Sequence, residues 1–260
     1  YERLVYLRNL EEKKEQVISS IEEQGKLTEE LKKQILAAET LVAVEDLYRP
    51  YRPKRRTRAT IAKEKGLEPL AMLISEQKSS FDPFLAAKDY INEEKQVSDE
   101  EDALAGAMDI IAETISDNAD YRKRIRMMTY KSGVLYVKAA KEEDSVYRMY
   151  YDYSEPVASV ANHRLLAINR GEKEDFLSVK LECDEEEILS YLKRELIINK
   201  SAPSAKYISA AAEDSYKRLI APSVENETRN LLTDRAQESA IKIFSKNLTG
   251  LLLQPPIKGK

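Results

Sequence analysis

Apolar residues recur at the three- and four-residue spacing of an α-helix along most of this 260-residue chain. Few residues interrupt that spacing, because the chain has only seven glycines and nine prolines, so long helices with short connections are expected. The alternation typical of strands occurs in two short segments, 134–138 and 176–181. The sequence therefore predicts a mainly α fold, a multi-helix N-terminal region with a small two-stranded β element.

Local signals predict several helix boundaries. The hydroxyl of Thr28 suits the N-cap of a second helix, since it can accept a hydrogen bond from an unpaired backbone N–H. Ser98 followed by Glu101 forms a capping-box pattern ahead of a further helix. The apolar side of that helix consists of Ala103, Leu104, Ala107, Ile110, Ile111 and Ile115. Two long helices are expected near the end, over residues 204–221 and 223–248.

These elements divide the chain into four segments. Residues 1–48 are expected to be the remainder of an N-terminal helical segment of helix-turn-helix type. Residues 49–198 form a central helical domain that contains the β element. Residues 199–254 hold the long C-terminal helices, and residues 255–260 form a linker.

Charge is unevenly distributed, although the formal net charge is only −4. Residues 93–120 carry ten acidic side chains and one basic one, whereas residues 49–58 carry six cations and no acid. The acidic stretch is expected to be a solvated helix face, with Asp109, Glu113 and Asp117 opposite the isoleucines. A divalent-ion site is the alternative. The basic stretch is expected to attract phosphate.

The residue types that common catalytic and metal sites require are scarce. One histidine, His163, and one cysteine, Cys183, cannot build a Cys/His zinc site, and nothing in the sequence orients either as base or nucleophile. The glycines are isolated, so a phosphate-binding glycine loop is not expected. The sequence also contains no run of about 18 apolar residues, the length that a helix needs to cross a bilayer. The sequence therefore predicts a cytoplasmic protein that is not an enzyme, with no catalytic residue, metal site, cofactor or membrane partner.

Residues 48–58, called the basic loop below, are the strongest candidate for a binding site. Pro50 and Pro53 lack backbone donors and favour an extended, exposed chain. Arginines bind phosphate oxygens, and tyrosine rings stack on unpaired bases. The candidate nucleic-acid-binding residues are Tyr48, Arg49, Tyr51, Arg52, Lys54, Arg55, Arg56 and Arg58. The alternative is that the loop pairs with the acidic residues 93–120 or with another domain, and that its tyrosines serve packing.

A second aromatic stretch contains Tyr147, Tyr150, Tyr151 and Tyr153. Base stacking is one interpretation of these tyrosines. Such a density of phenols more often indicates amphipathic packing, in which the rings lie inside and the hydroxyls lie at the surface. We therefore expect packing here.

Long stretches of the chain resemble the Tex family. The basic loop and its flanks, Glu45–Thr57 followed by Gly66–Ala71, look like the signature of that family, and residues 151–156 and 244–248 also fit. The resemblance extends over almost the whole chain. It implies a bacterial transcription accessory protein that associates with RNA or DNA and is related to the eukaryotic Spt-six elongation factor.

The resemblance also implies an arrangement of domains. In this family an N-terminal helical region precedes an RNase-H-like domain, helix-hairpin-helix elements and a C-terminal S1 domain, which is the leading nucleic-acid binder. The chain resembles the helical region, and its last helices lead towards the RNase-H-like domain. We expect a non-enzymatic scaffold fragment whose basic loop adds a nucleic-acid contact. The alternative is a protein-interaction module that docks onto RNA polymerase or another transcription factor.

Overall fold

The computed structural model describes residues 2–53, 55–141 and 143–254, and in these the chain is mainly helical with one small sheet. The predicted fold class is confirmed. In chain order the helices and strands are α1 (Glu2–Glu23), α2 (Glu29–Ala37), α3 (Leu41–Tyr48), α4 (Arg58–Glu64), α5 (Glu68–Ser75), α6 (Pro83–Ala87), α7 (Glu100–Ser116), α8 (Ala119–Ser132), β1 (Val134–Ala139), β2 (Asp152–Pro156), α9 (Asn162–Lys173), β3 (Leu177–Glu182), α10 (Glu185–Leu196), α11 (Ala205–Asp214) and α12 (Ala221–Leu252).

The chain folds into two compact units, each made of two separate segments. Unit 1 comprises Tyr1–Ile125 and Glu186–Pro222, and unit 2 comprises Arg126–Glu185 and Ser223–Lys260. No helix in the described ranges is both long enough and apolar enough to span a membrane. The linker predicted over residues 255–260 lies outside the described residues.

In unit 1, helices α1, α2 and α3 pack around one apolar cluster. The prediction for Thr28 is confirmed, because its side chain accepts a hydrogen bond from the backbone N of Leu31 at 3.2 Å and caps α2. The buried members of the cluster are Leu10, Val17, Ile21, Leu31, Ile35, Ala38 and Val44. These side chains come from all three helices, so the cluster holds the helices together.

Helix α7 packs against α4, α5, α6 and α11 within unit 1. All six apolar residues predicted for its inner side are buried. The predicted cap was wrong by one residue. Asp99 is the N-cap, because its carboxylate accepts a hydrogen bond from the backbone N of Asp102 at 2.8 Å.

Unit 2 contains an antiparallel sheet with the strand order β2-β1-β3. The predicted pairing of the two strands is confirmed as β1–β3, in which Val137 lies opposite Val179. The sheet has three strands rather than two, because β2 pairs along the other edge of β1. Leu232 and Ala236 of α12 join the cluster formed by the inner side of the sheet and by α9.

The chain from Ala205 to Leu252 is helical without interruption, so the predicted break between residues 221 and 223 was wrong. After α11, Ser215–Ile220 form a π-helix, and α12 begins directly at Ala221. The wider turn of a π-helix changes the hydrogen-bond register just before Pro222, which has no backbone N–H to donate. The proline is therefore accommodated in the first turn of α12.

Candidate nucleic-acid interface

The first half of the basic loop is anchored to α1. The phenol of Tyr48 forms a hydrogen bond of 2.9 Å with the hydroxyl of Ser20, and Nε2 of Gln24 donates to the carbonyl of Tyr51 at 2.9 Å. The backbone N of Tyr51 and that of Arg52 both donate to the carbonyl of Tyr48. Both tyrosine rings are partly buried against the apolar cluster of α1–α3. Tyr48 and Tyr51 are thus packing residues in this structure.

The second half of the basic loop is anchored by Thr57. Its hydroxyl oxygen accepts a hydrogen bond from the backbone N of Thr60 at 3.1 Å, which caps α4. The same hydroxyl lies 3.3 Å from Oε2 of Glu113 on α7. Both ends of the loop are therefore held by hydrogen bonds to helices of unit 1.

Arg49 of the loop contacts the acidic side of α7, and the charge of Arg58 acts on the same side. Nε of Arg49 lies 3.5 Å from Oδ1 of Asp117, and these side chains are 35% and 13% exposed. Burial raises the pKa of the Asp109 carboxyl, and the nearby charges of Arg218 and Arg58 oppose that rise. For these two arginines, the structure favours the alternative interpretation, in which the loop pairs with the acidic residues 93–120.

The acidic side of α7 is not the freely solvated face that the helical spacing predicted. Asp109, Glu113 and Asp117 are all partly buried. Nη2 of Arg218 lies 3.0 Å from Oδ1 of Asp109. The expectation failed because α4 packs on α7 and the basic loop is fixed beside it, so these carboxylates meet cations and a hydroxyl instead of water. Among the described residues, no group of three or more His, Cys, Asp or Glu is placed to hold a metal ion.

Three other cations of the loop point into solvent. Arg52 and Arg55 are exposed, and neither forms an ion pair within the described part of the chain. Nη2 of Arg56 lies 2.9 Å from Oε2 of Glu64, but these side chains are 70% and 54% exposed. An exposed pair of this kind contributes about 0–1 kcal/mol, so a phosphate can displace it. We call Arg52, Arg55 and Arg56 the outward cations; Lys54 lies outside the described residues.

The tyrosines of the second aromatic stretch pack inside unit 2, as expected. Tyr147 and Tyr150 are buried, and Tyr151 and Tyr153 are partly buried against the same cluster. The phenol of Tyr147 donates to Oε2 of Glu174 at 2.8 Å. With their rings engaged in the core, these tyrosines do not present a stacking surface.

An apolar groove in unit 1 was not predicted from the sequence. It has a volume of about 400 Å³ and lies between α5, α7 and residues 195–208. On its rim, Met72 is 65% exposed and Ile198 is 86% exposed. Met72 and Ile198 lie in apolar runs, 70–74 and 196–198, that are far apart in the sequence, and only the packing of the three segments brings them together.

A helical body with one small antiparallel sheet and a fixed basic loop defines a mainly α protein. The chain belongs to the Tex family, since the family described as Tex central region-like matches residues 78–244. It is 50% identical over 263 residues to the uncharacterized protein YdcI of Bacillus subtilis, an alignment that covers 100% of this chain and 37% of YdcI.

Two further relatives carry informative names. The transcriptional accessory protein Tex of Neisseria gonorrhoeae is 38% identical, over 98% of this chain and 34% of its own length. The human S1 RNA-binding domain-containing protein 1 is 29% identical, over 98% of this chain and 27% of its own length. The chain thus spans about a third of the length of the curated relatives it matches.

Proposed function

We propose that this chain is a non-enzymatic, cytoplasmic scaffold segment of a transcription accessory protein, and that it contacts RNA or DNA through the outward cations. The observation that carries the proposal is the exposure of Arg52, Arg55 and Arg56 on a loop whose two ends are hydrogen-bonded to helices. The names of two relatives, a transcriptional accessory protein and an S1 RNA-binding domain-containing protein, add support.

The fixed ends of the loop favour binding. A loop whose two ends are already fixed loses less conformational entropy when it meets a ligand, so more of the interaction energy appears as affinity. Guanidinium groups also form paired hydrogen bonds with phosphate oxygens. The outward cations are therefore suited to a nucleic-acid backbone.

The contact is expected to show little sequence preference. Contacts to phosphates position a protein on nucleic acid, whereas contacts to bases give specificity. Tyr48 and Tyr51 are partly buried against the cluster of α1–α3, which reduces the ring surface available for stacking on bases. Binding should therefore depend on charge and salt more than on base composition.

The test is fluorescence anisotropy of a labelled single-stranded RNA and a labelled duplex DNA, each titrated with this chain at low and near-physiological salt. The wild-type affinity is expected to fall as salt rises, because bound counterions are released from each neutralised phosphate. The variant Arg52→Glu/Arg55→Glu/Arg56→Glu is expected to bind more weakly. Its slope of log affinity against log salt should be shallower by roughly 2 to 3, at about 0.7–0.9 per lost contact.

The matched control reverses three exposed charges elsewhere in unit 1. Lys26, Lys33 and Lys88 are exposed and form no ion pair among the described residues, so Lys26→Glu/Lys33→Glu/Lys88→Glu changes the net charge equally. This control should retain most of the binding. Equal losses in both variants would show an effect of net charge alone, and absence of binding at low salt would contradict the proposal.

The apolar groove supports a second candidate function, docking onto RNA polymerase or another transcription factor. Exposed apolar side chains around a groove are typical of protein-interaction sites. Met72 and Ile198 provide such a surface on the groove rim. Docking of this kind depends on apolar burial and should be less sensitive to salt than binding through the outward cations.

This second function is tested with purified bacterial RNA polymerase that has been treated with nuclease. Met72→Glu/Ile198→Glu is expected to weaken binding in biolayer interferometry, because two carboxylates would have to be desolvated in the groove. Leu85→Glu is the control, since Leu85 is 60% exposed and lies outside the groove. Equal affinity of wild type and groove variant would remove the groove as the docking site.

A further inference from the structure

A hydroxyl and two cations lie on the same side of α10. Ser190, Lys193, Arg194 and Ile197 are spaced i, i+3, i+4 and i+7, which places them on the same side of a helix. The backbone N of Ile197 still donates to the carbonyl of Lys193 at 3.0 Å, so the helical path continues through this residue. The hydroxyl and the two cations therefore share one side of α10.

The turn after α10 adds a third cation and is held in place by Gln77. Nε2 of Gln77 donates to the carbonyl of Leu196 at 2.8 Å, and its Oε1 accepts from the backbone N of Ile198 at 2.9 Å and of Asn199 at 3.1 Å. The side chain of Gln77 is buried. The backbone that carries Lys200 is therefore fixed beside α10.

These groups line a cavity of about 440 Å³, within the range of about 300–1,000 Å³ that is common for small-ligand sites. We call it the cationic pocket. Its lining residues are Ser190, Lys193, Arg194, Ile197, Lys200 and Ala205. No acidic residue is among them, so the pocket has three positive charges and no negative one on its wall.

The far wall of the pocket is the start of α11. Ala205 is the first residue of this ten-residue helix, so the positive end of the helix dipole lies at the pocket. The helix start thus adds to the charge of the three side chains.

The acidic neighbours of these cations leave them available to a ligand. Nε and Nη2 of Arg194 lie 3.4 and 3.5 Å from Oε1 of Glu195, at the long limit for a hydrogen bond, while the guanidinium also lies over the ring of Tyr191. The hydrogen bond from Lys217 and then the charge of Lys193 lower the pKa of Glu213.

Glu213 is therefore already bound by Lys217, at 2.8 Å. Among the described residues, Lys200 has no acidic partner, and the acid near Lys193 is held by Lys217. The positive charge of the cationic pocket is therefore only partly compensated.

We propose that the cationic pocket binds a phosphate group through Lys193, Arg194 and Lys200, with the hydroxyl of Ser190 as a further donor. The phosphate can come from a nucleic-acid backbone, as a phosphodiester, or from a small phosphorylated molecule, as a monoester. The phosphodiester source rests on the proposed nucleic-acid contact, whereas the phosphate site itself does not.

The first experiment follows backbone amide signals by NMR while the chain is titrated with inorganic phosphate, against sodium chloride at equal ionic strength. Saturable shifts are expected at residues 190–206. The variant Lys193→Gln/Lys200→Gln is expected to lose about tenfold or more in phosphate affinity, since two charge-assisted hydrogen bonds are removed. Lys33→Gln/Lys88→Gln removes the same charge from exposed sites outside the pocket and should bind phosphate as the wild type does.

The second experiment titrates the same proteins into a labelled 12-nucleotide single-stranded RNA. Loss of both phosphate and RNA affinity in the pocket variant would identify a phosphodiester, and loss of phosphate affinity alone would identify a small phosphorylated ligand. Shifts that do not saturate, or equal phosphate affinity of wild type and pocket variant, would overturn the site.

The variant with the three outward cations reversed separates this inference from the proposed function. It should keep its phosphate shifts at residues 190–206, whatever happens to its RNA binding. Loss of those shifts in that variant would show that the phosphate response belongs to the basic loop and not to the pocket.

Discussion

Asp109 reports on the electrostatic contact between the basic loop and α7. Burial raises the pKa of its carboxyl group, and Arg218 and Arg58 act in the opposite direction. Because the folded-state pKa lies above the ordinary value, protonated Asp109 is the form that folding favours. Its contribution to stability is therefore complete below the ordinary pKa and is lost as the pH rises through the folded-state value.

This balance predicts the effect of removing one loop charge. Arg58→Gln should raise the pKa of Asp109 further, because one of the two opposing positive charges is gone. The measurement is an NMR titration of the side-chain carboxyl carbon of Asp109. Arg52→Gln removes an equal charge from an outward position and should leave that pKa almost unchanged, whereas equal shifts in both variants would contradict the contact.

The sequence predicted the charge and the exposure of the basic loop, but not which of its cations pair with α7. Its charge was evident from the residues, and its exposure was expected from Pro50 and Pro53. Which cations turn inward depends on the position of α7, and Arg49 meets Asp117 only because helices distant in the chain pack side by side. The nucleic-acid role of the loop stays a prediction.

Among the secondary-structure elements, α7 was predictable and β2 was not. The six apolar residues of α7 follow one helical side, and local spacing alone identifies them. β2 consists of Asp152, Tyr153, Ser154, Glu155 and Pro156, three of which, Asp152, Glu155 and Pro156, are poor strand residues. It forms because β1 offers a free edge, as in the pairing of Tyr136 with Ser154, and this information lies elsewhere in the chain.

Helix α9 packs closely on β3 at Gly171, and this contact gives a prediction. A Cβ atom at Gly171 would lie 2.6 Å from Cδ1 of Leu177, which is itself buried, and 3.0 Å from Cγ of Tyr147. Gly171→Ala should lower the free energy of unfolding by about 1–3 kcal/mol, because neither neighbour has room to move. Urea denaturation measures the change.

Gly250 provides the matched control within α12. Nothing lies within 4 Å of a Cβ atom at this position. Gly250→Ala should therefore stabilise the helix, by up to about 1 kcal/mol, through its higher helix propensity. If both substitutions stabilised the protein, the contact of α9 with β3 would be looser than the structure indicates.

At the scale of the molecule, unit 1 depends on two segments that are far apart in the chain. Helix α11 packs on α7, and Ile208, Ala211 and Ala212 of α11 are buried. A chain that stops at residue 125 lacks this cover and contains no part of unit 2. It should unfold less cooperatively than the whole chain and should bind the dye ANS, which reports exposed apolar surface.

Circular dichroism during urea denaturation and ANS fluorescence measure these two properties. The control is the whole chain, measured at the same concentration. A sharp transition and low ANS binding in the shortened chain would show that residues 1–125 fold alone, and that residues 186–222 only add to a completed core.

The divided unit also has a consequence during synthesis. A ribosome adds about 5–20 residues per second, so roughly 5 to 20 s pass between the emergence of Ile125 and that of Pro222. Throughout that interval the nascent chain presents the side of α7 that α11 later covers. Unit 1 therefore stays incomplete until residues 186–222 have been made, and the uncovered side of α7 is a surface that chaperones at the ribosome exit can bind.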